Sequence, residues 1–407
     1  MTAYSSYSDI AHFLNKIGNA PLFVCDMDGN VMTGYTLKTD TAPLPLKETD
    51  EARRQTIPYG TPPAVLGGLV KEGTYETGIF AEKAMDARLP APLVDLVNHG
   101  IETNQPFRIA FLTSRGANDA RKLLVESGIG NVDAVTLVAD SGATLFIQGR
   151  KTEARKLNDG EKNFLANLEY LAAYYQKDVQ ALVAVTLGTA KGCPKLFVEH
   201  KGIASNIHYR EILSHFGQPD NSDLDKTIGA HLKERLDVYA GLWPKDLNGE
   251  SVFKTLDGPA TVEVKVASMH KGHGLAAIVE EALGSGVRPS AIVFAGDDVA
   301  KGNGLPGTDY YAMAQARIFS AKYGVPFLNI HTHHPIGNDV NCDRPDPDKS
   351  PGTLSLAFNK PDIDLIVPTP SALTDIILRA YSRSMPDAKF GTRLLPEAAA
   401  AGPVREI

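Results

Sequence analysis

The sequence has few of the features that mark secreted, membrane or disulfide-stabilised proteins. It contains only three cysteines in 407 residues, Cys25, Cys193 and Cys342, and they are widely spaced. An odd number without a close pair excludes a disulfide framework and a cysteine zinc site, and it indicates a reducing compartment. No run of about 18 apolar residues occurs, and the first residues lack a basic segment followed by an apolar one. We therefore expect a cytoplasmic protein without a membrane partner.

Long clusters of basic residues are also missing. The chain has 41 lysine and arginine residues against 48 aspartate and glutamate residues, a net charge of −7. Without a basic stripe we expect no nucleic-acid partner, although a small basic pocket for an anionic metabolite is compatible with this balance. Hydrophobic residues make up 43% and charged residues 22%, as in ordinary globular proteins of two or three domains.

Short apolar runs alternate with helical patterns along the chain, which predicts an α/β fold with a doubly wound, mainly parallel sheet. The predicted core strands are residues 21–25, 108–112, 134–138, 291–295 and 326–330. Residues 151–260 differ from this pattern, because helical periodicity there is mixed with short strands and tight turns. We predict an inserted α+β cap domain over 151–260 and a catalytic core formed by 1–150 together with 261–407.

Polar residues follow three of the predicted strands at the point where each strand ends. They are Asp26 and Asp28, Thr113 and Ser114, and Asp297 and Asp298. In open α/β sheets, ligands bind outside the carboxyl ends of the strands. We expect these three clusters to meet in one crevice.

The first cluster, DMDG at 26–29, places two carboxylates one residue apart. Such a pair attracts Mg²⁺, which prefers a few hard oxygen ligands with water and phosphate oxygens. One aspartate can attack phosphorus, and its neighbour can protonate the leaving oxygen and later activate water. The alternative is an ordinary turn, since Asp and Gly are favoured turn residues.

Four short motifs in order resemble those of the haloacid dehalogenase superfamily of phosphatases: DMD at 26–28, LTSR at 112–115, HKGHG at 270–274 and GDD at 296–298. The resemblance implies that Asp26 is the nucleophile and Asp28 the acid and base. It implies that Thr113 binds a phosphoryl oxygen and that Lys271 neutralises charge at the start of a helix. The implied cofactor is Mg²⁺, with the metal site formed by Asp26, Asp28, Asp297 and Asp298. Alternatively, Thr113 or Ser114 caps the next helix, a role that we assign to Ser114, and Lys271 is solvated.

The predicted cap contains FVEHKGIASNIHYR at 197–210, which resembles the cap segment of trehalose-6-phosphate phosphatases. The resemblance implies that Glu199, Lys201, His208 and Arg210 bind a sugar phosphate. On neighbouring strands these side chains can share one face, because alternate residues point the same way. A solvated face with salt bridges is the alternative.

The sequence departs from this family in several places. The family pattern GDD, one residue, TDE is interrupted here, because residues 299–307 stand before Thr308 and Asp309, and Tyr310 takes the place of glutamate. Whether Asp309 assists the metal site is therefore left open. Residues 39–63 and 334–353 are predicted to be long loops. HTHHP at 331–335 suggests a zinc site, a contact at the rim of the crevice or plain solvent exposure, with solvent exposure preferred.

Together these patterns predict a Mg²⁺-dependent phosphomonoesterase with a small-molecule sugar phosphate as its partner, trehalose 6-phosphate or a close relative being the first choice. A phosphatase for another phosphorylated sugar and a phosphosugar mutase of the same superfamily are the alternatives. A non-catalytic sugar-phosphate sensor is a weaker one, since Asp26, Asp28, Thr113, Lys271 and Asp297 are all present.

Overall fold

The computed structural model describes most of the chain outside its long polar segments. The described residues are 5, 7–28, 30–32, 35–37, 75–77, 89–103, 109–147, 149–218, 222–258, 260–286, 288–299, 307–332, 362–367 and 370–382. The predicted loops 39–63 and 334–353 lie outside them, as do His333, His334 and most of 299–307. None of the helices in these ranges combines the length and the apolar character that a membrane span requires.

The described residues form both strands and helices. The strands are β1 (Leu22–Cys25), β2 (Tyr35–Leu37), β3 (Tyr75–Thr77), β4 (Ile109–Leu112), β5 (Thr136–Ala139), β6 (Thr144–Ile147), β7 (Arg150–Glu153), β8 (Phe197–His200), β9 (Ala204–His208), β10 (Phe253–Gly258), β11 (Thr261–Val266), β12 (Ile292–Gly296), β13 (Phe327–Thr332) and β14 (Leu365–Val367). The helices are α1 (Tyr7–Ile17), α2 (Ala91–Glu102), α3 (Ala117–Glu126), α4 (Asp159–Ala166), α5 (Leu168–Leu187), α6 (Arg210–His215), α7 (Asp223–Gly241), α8 (Lys271–Gly284), α9 (Tyr310–Met313), α10 (Ala316–Tyr323) and α11 (Pro370–Ser382).

The core is an eight-stranded sheet in the order β14-β13-β12-β1-β4-β5-β6-β7. The strands from β14 to β5 run parallel, and β6 and β7 extend the sheet as an antiparallel edge. Every residue of β1, β4, β12 and β13 is buried, as expected where helices cover both faces of a parallel sheet. The predicted α/β fold is therefore confirmed.

A hydrophobic layer lies on each face of this sheet. On one face Phe23 and Phe111 pack with apolar residues of α1, α2, α3 and α11. On the other, Val24 and Phe294 pack with residues of α8 and α10. Because alternate residues of β1 enter opposite layers, the strand is fixed in register, and its end at Cys25 places Asp26 at the sheet edge.

A second sheet, with the order β10-β11-β9-β8, is antiparallel throughout. One of its faces carries Ile207, Val262 and Val264, which are buried with apolar residues of α5 and α7. The opposite face carries mainly polar residues. We call β8–β11 with α4–α7 the cap and this polar surface the cap face.

The two sheets divide the chain a few residues later than 151 and 260. Strand β7 (Arg150–Glu153) belongs to the large sheet and β11 (Thr261–Val266) to the small one. Strand β10 was not predicted, because FKTLDG has neither a continuous apolar run nor a clear alternation of apolar and polar residues.

Candidate active site

The carboxyl ends of three adjacent parallel strands define the site. In the sheet, β1 lies between β12 and β4, and it pairs with both in parallel register. Asp26 follows β1, Thr113 follows β4, and Asp297 follows β12. The chain distance between these residues is large, yet the parallel topology brings them to one edge.

Asp26 is a buried carboxylate with two different contacts. Its Oδ1 accepts a hydrogen bond of 2.8 Å from the backbone N–H of Met27. Its Oδ2 lies 2.7 Å from the Nζ atom of Lys271. Burial and the negative charge of Asp309 raise the pKa of Asp26 to about 8, although Lys271 acts in the opposite direction. The carboxylate is thus held in a place where a further cation would stabilise its charge.

Lys271 begins α8 and is 2% exposed. Its ammonium group lies between two carboxylates, 2.7 Å from Asp26 Oδ2 and 2.6 Å from Asp309 Oδ1. Burial alone would lower the pKa of Lys271, but the charges of Asp26 and Asp309 raise it above its ordinary value. The two carboxylates also offset the unfavourable position of a cation at a helix N-terminus. Lys271 therefore remains a fixed positive charge beside Asp26.

Asp309, whose part in the metal site was left open from sequence, is fully buried. Its Oδ2 accepts hydrogen bonds of 2.9 Å from the backbone N–H groups of Asp297 and Asp298, while its Oδ1 binds Lys271. A Cβ atom at position 296 would come within 2.6 Å of the Asp309 carboxylate, so a glycine is required there. The signal for Asp309 was present in the sequence, but residues 299–307 separate it from GDD.

Three carboxylates form a group that fits a divalent cation. Oxygen atoms of Asp26, Asp297 and Asp309 all lie within 4.8 Å of one another. Burial and the charges of Asp26 and Asp309 raise the pKa of Asp297 well above its ordinary value. Hard oxygen donors with excess negative charge are the donor set that Mg²⁺ prefers. This group contains two of the four metal residues predicted from sequence.

The side chains of Asp28 and Asp298, the other two predicted metal residues, lie outside this group of three. Asp298 Oδ2 accepts a hydrogen bond of 2.8 Å from the backbone N–H of Thr308. Asp28 is engaged by Arg115, which binds both of its oxygens with Nε–Oδ2 and Nη2–Oδ1 distances of 2.7 and 2.6 Å. Their roles as metal ligands stay predictions.

Arg115 determines the protonation state of Asp28. Burial alone would raise the pKa of Asp28, but the charge and hydrogen bonds of Arg115 lower it below its ordinary value. In this arrangement Asp28 is ionised and can accept a proton. To donate one, it must first lose its contact with Arg115. Arg115, the last residue of LTSR, was not among the site residues predicted from sequence.

Thr113 is buried with its hydroxyl group at the same edge. Its Oγ1 accepts a hydrogen bond of 3.1 Å from the backbone N–H of Arg115, and a hydroxyl in that position still has its own proton to donate. The expected capping role of Ser114 is wrong, because α3 begins only after Gly116 and has no side-chain cap. Ser114 instead shares a hydrogen bond of 3.1 Å with Ser141.

The cap face brings three of the four predicted sugar-binding residues together. Glu199 Oε2 lies 3.0 Å from His208 Nε2 and 3.7 Å from the Nζ atom of Lys201. It also accepts a hydrogen bond of 2.9 Å from Asn206. Burial would raise the pKa of Glu199, but the hydrogen bond from His208 and the charge of Lys201 lower it to about 2.

Arg210, the fourth predicted sugar-binding residue, does not lie on a strand. Strand β9 ends at His208, and Arg210 is the first residue of α6. The expectation that strand alternation places Arg210 and His208 on one face is therefore wrong, because the chain has already turned into a helix. Its role in binding stays a prediction.

Further charged residues on the cap face were missed. The register places Glu263 opposite Asn206 and Lys265 opposite Lys254 on one face. Lys265 is 3% exposed, and burial with the charges of neighbouring lysines lowers its pKa to about 8 despite nearby Glu263. Strand alternation in TVEVKV could have indicated Glu263 and Lys265, since both point away from the buried valines.

The cap face can be divided into rows by strand register. The Lys201, Lys265 and Lys254 row is next to the core: Lys254 Nζ lies 5.5 Å from the centre of the Tyr311 ring. The next row contains Glu199, Asn206 and Glu263, and the outer row contains Phe197, His208 and Thr261. Phe197 is 58% exposed at the outer edge.

His331 belongs to β13 and is buried. The preferred reading of HTHHP as solvent-exposed is therefore wrong for this residue, because the strand continues to Thr332. The other two histidines of HTHHP lie outside the described residues.

No family model and no curated protein sequence matches the chain. Among solved structures, it is similar to the C-terminal domain of C. albicans trehalose-6-phosphate phosphatase, with 12% identity, a TM-score of 0.48 and coverage of 94% of this chain and 99% of that one. It is also similar to Aspergillus fumigatus trehalose-6-phosphate phosphatase, with 14% identity, a TM-score of 0.38 and coverage of 94% and 99%. A third similar structure is the C-terminal domain of a Candida albicans trehalose synthase regulatory protein, with 10% identity, a TM-score of 0.43 and coverage of 93% and 100%. These structures include the kind of phosphatase that the motifs resemble, but similarity at this level assigns no activity or substrate to the chain.

Proposed function

We propose that the protein is a Mg²⁺-dependent phosphatase of the haloacid dehalogenase type that hydrolyses a phosphorylated sugar. The observation that carries this proposal is the arrangement around Asp26. A buried carboxylate lies 2.7 Å from a buried lysine, within 4.8 Å of two further carboxylates, and two residues before an aspartate held by arginine. An ordinary turn would not need this concentration of buried charge.

The group of three carboxylates, Asp26, Asp297 and Asp309, would hold Mg²⁺. When bound, the ion supplies positive charge that offsets the repulsion among these side chains and the charge of the phosphoryl oxygens. Lys271 provides a second, permanent cation 2.7 Å from Asp26 Oδ2. Together they favour an ionised Asp26 beside a dianionic substrate.

In the first half-reaction a carboxylate oxygen of Asp26 attacks phosphorus. The new Asp26 O–P bond forms while the bond between phosphorus and the sugar oxygen breaks, and Asp28 gives its proton to that oxygen. The phosphoryl oxygens attract the guanidinium group of Arg115 away from Asp28, which lets the pKa of Asp28 rise so that it can carry that proton.

In the second half-reaction water attacks the aspartyl-phosphate. Asp28, now ionised, accepts a proton from the water, the Asp26 O–P bond breaks, and inorganic phosphate leaves. The Thr113 hydroxyl group donates a hydrogen bond to a phosphoryl oxygen, and Lys271 stabilises the developing negative charge. Each residue thus acts from a position fixed by a strand end or a helix start.

The cap face would select the sugar. From Lys201, beside the core, to Phe197, at the outer edge, its rows span four residues, or roughly 13 Å. Carboxylate, amide and imidazole groups along this path offer acceptors and donors for sugar hydroxyls. A path of this length suits a substrate of two linked sugar rings, so trehalose 6-phosphate is the first choice and a related disaccharide phosphate the second.

A screen of phosphorylated metabolites with Mg²⁺, reading released phosphate, tests the proposal. Trehalose 6-phosphate, sucrose 6-phosphate and glucose 6-phosphate should be compared, with the Asp26→Asn variant as control. We expect the disaccharide phosphates to be hydrolysed with higher kcat/KM than glucose 6-phosphate, and the variant to be inactive. Transfer of the phosphoryl group to a second sugar hydroxyl, without release of phosphate, would instead identify a mutase. No turnover of any phosphorylated sugar by the native protein would contradict the proposal.

A further inference from the structure

The turn after β5, Asp140–Gly142, has an unusual backbone. Its three residues have φ angles of 52°, 54° and 103°, and the first two are not glycines. Left-handed backbone at such residues is unfavourable and persists only where surrounding contacts fix it. The contacts of this turn therefore require an explanation.

The backbone of the turn binds the segment that follows β4. The N–H of Asp140 donates a hydrogen bond of 2.8 Å to the carbonyl oxygen of Arg115. The N–H of Ser141 donates one of 3.1 Å to the carbonyl oxygen of Thr113. Gly142 lies against the first turn of α8, since a Cβ there would come within 2.9 Å of the backbone N of Gly274. The turn thus joins Thr113, Arg115 and the helix of Lys271.

The side chain of Asp140 leaves the core and reaches the cap. It is 3% exposed, and its Oδ1 accepts a hydrogen bond of 3.0 Å from the backbone N–H of Gly202, in the turn between β8 and β9. Its Oδ2 accepts one of 2.8 Å from the Thr144 hydroxyl. A Cβ at position 202 would lie 2.8 Å from Asp140 Oδ2, so the β8–β9 turn approaches Asp140 as closely as a glycine allows.

This contact lies beside Lys201, a cap residue whose charge acts on Asp28. Lys201 precedes Gly202, and its charge contributes to the lowered pKa of Asp28. A Cβ at position 116 would be 3.9 Å from Lys201 Cγ and 4.0 Å from Asp140 Oδ1, so the three segments meet at one point. The Asp140–Gly202 bond therefore fixes the distance between the cap face and the strand ends.

We propose that Asp140 is a positioning residue that docks the β8–β9 turn of the cap onto the core and so places Glu199 and Lys201 over the phosphoryl site. The inference rests on the proposed function for its catalytic consequence. The docking itself does not depend on the reaction. The competing explanation is that Asp140 only stabilises its own turn through Thr144.

Hydrogen exchange at the Gly202 amide tests the docking without any substrate. In Asp140→Ala the amide loses its acceptor, and exchange should accelerate by roughly 10-fold or more, as for loss of a bond to a charged group. Asp140→Asn keeps an oxygen for Gly202 and can donate to Thr144, so it should retain most of the protection. Thr144→Val removes only the bond to Oδ2 and serves as the matched control, with Gly202 still protected.

Turnover of two substrates tests the consequence. Asp140→Ala and Gly202→Ala should lower kcat/KM for a sugar phosphate by roughly 10-fold or more while p-nitrophenyl phosphate hydrolysis changes little, because only the larger substrate reaches the cap face. Asp140→Asn should restore most of the loss. Gly202→Ala disrupts the same contact by a change in the cap. It therefore tests the proposal even if Asp140→Ala does not fold.

Two outcomes would overturn the proposal. Unchanged Gly202 exchange in a folded Asp140→Ala variant would show that the carboxylate does not hold the cap. Equal losses on both substrates, in Asp140→Ala or in Gly202→Ala, would show that the contact serves the core alone. If the native protein hydrolysed no phosphate ester, the proposed function would fail while the exchange measurement still decided the docking.

Discussion

Replacing Asp309 with asparagine should remove the stabilisation of the protein by Mg²⁺. The carboxylate of Asp309 binds Lys271 through one oxygen and two backbone N–H groups through the other. An asparagine has a single acceptor oxygen and an NH₂ group, so it can satisfy the amides only by turning a donor toward the ammonium of Lys271. It also removes one of three negative charges from the group that would hold the ion.

The magnitude follows from linkage between binding and folding. At a Mg²⁺ concentration 100 times Kd, a single site stabilises the folded state by about 2.7 kcal/mol. For a large domain this corresponds to a rise of roughly 5 °C in Tm. Loss of a direct ligand should raise Kd for Mg²⁺ at least roughly 100-fold, because changing a residue that only orients a ligand can already have an effect of that size. The stabilisation at the same concentration then falls to about 0.4 kcal/mol, a rise of less than about 1 °C.

Thermal unfolding in EDTA and in increasing MgCl₂ measures this effect as a shift within each protein. Comparing shifts, rather than Tm values, removes the effect of Asp309→Asn on the metal-free protein. Asp133→Asn is the matched control, because this exposed carboxylate pairs with Arg121 and is not in the group of three. It should keep most of the shift. An undiminished shift in Asp309→Asn, or an equal loss in Asp133→Asn, would refute the assignment of Asp309 to the metal site.

Three further predictions concern the nucleophile, the cap and a buried lysine. Asp26→Asn should release no phosphate from any substrate while keeping the native circular dichroism spectrum, because an amide cannot attack phosphorus; near-normal turnover would rule out covalent catalysis by Asp26. Glu199→Ala should lower kcat/KM for a disaccharide phosphate at least about tenfold but barely change that for p-nitrophenyl phosphate, and equal losses on both would mean that Glu199 serves folding. Lys265→Met should raise the free energy of unfolding at pH 7. Burial lowers the pKa of Lys265 from 10.5 to about 8, so the charged lysine destabilises the folded protein by roughly 3 kcal/mol. The stability of the native protein should rise between pH 8 and 10.5, because the folded state releases the Lys265 proton at lower pH than the unfolded state does. The higher stability of Lys265→Met relative to the native protein should therefore vanish above pH 10.5. A stability difference that did not change with pH would contradict this explanation.

The strand ends of the core could be predicted from sequence because each is a short apolar run stopped by polar residues. The runs before Asp26, Thr113 and Asp297 correspond to β1, β4 and β12. Parallel pairing then places their ends at one edge without any further information. Lys271 was correctly predicted to begin a helix, because HKGHG precedes an apolar helical pattern.

The residues that sequence missed or left undecided depend on contacts across the fold. Asp309 was left undecided because residues 299–307 separate it from GDD and no local pattern determines where the chain returns to the site. Arg115 was missed because its role depends on Asp28 lying within reach of its guanidinium group. The contact of Asp140 with Gly202 likewise forms only when the folded chain brings the cap against the core. Arg210 was misplaced because the end of β9 has no sequence signal strong enough to show where the helix begins.

The most direct test of the central claim is to look for the phosphoryl group on Asp26. The protein should be mixed with Mg²⁺ and a turned-over sugar phosphate, quenched in acid within one turnover, digested and analysed by mass spectrometry. We expect a phosphoryl adduct on the peptide that contains Asp26, absent from Asp26→Asn and lost when the quench is delayed until the substrate is exhausted. Phosphate release with no adduct on that peptide at any quench time, or an adduct on another residue, would contradict it.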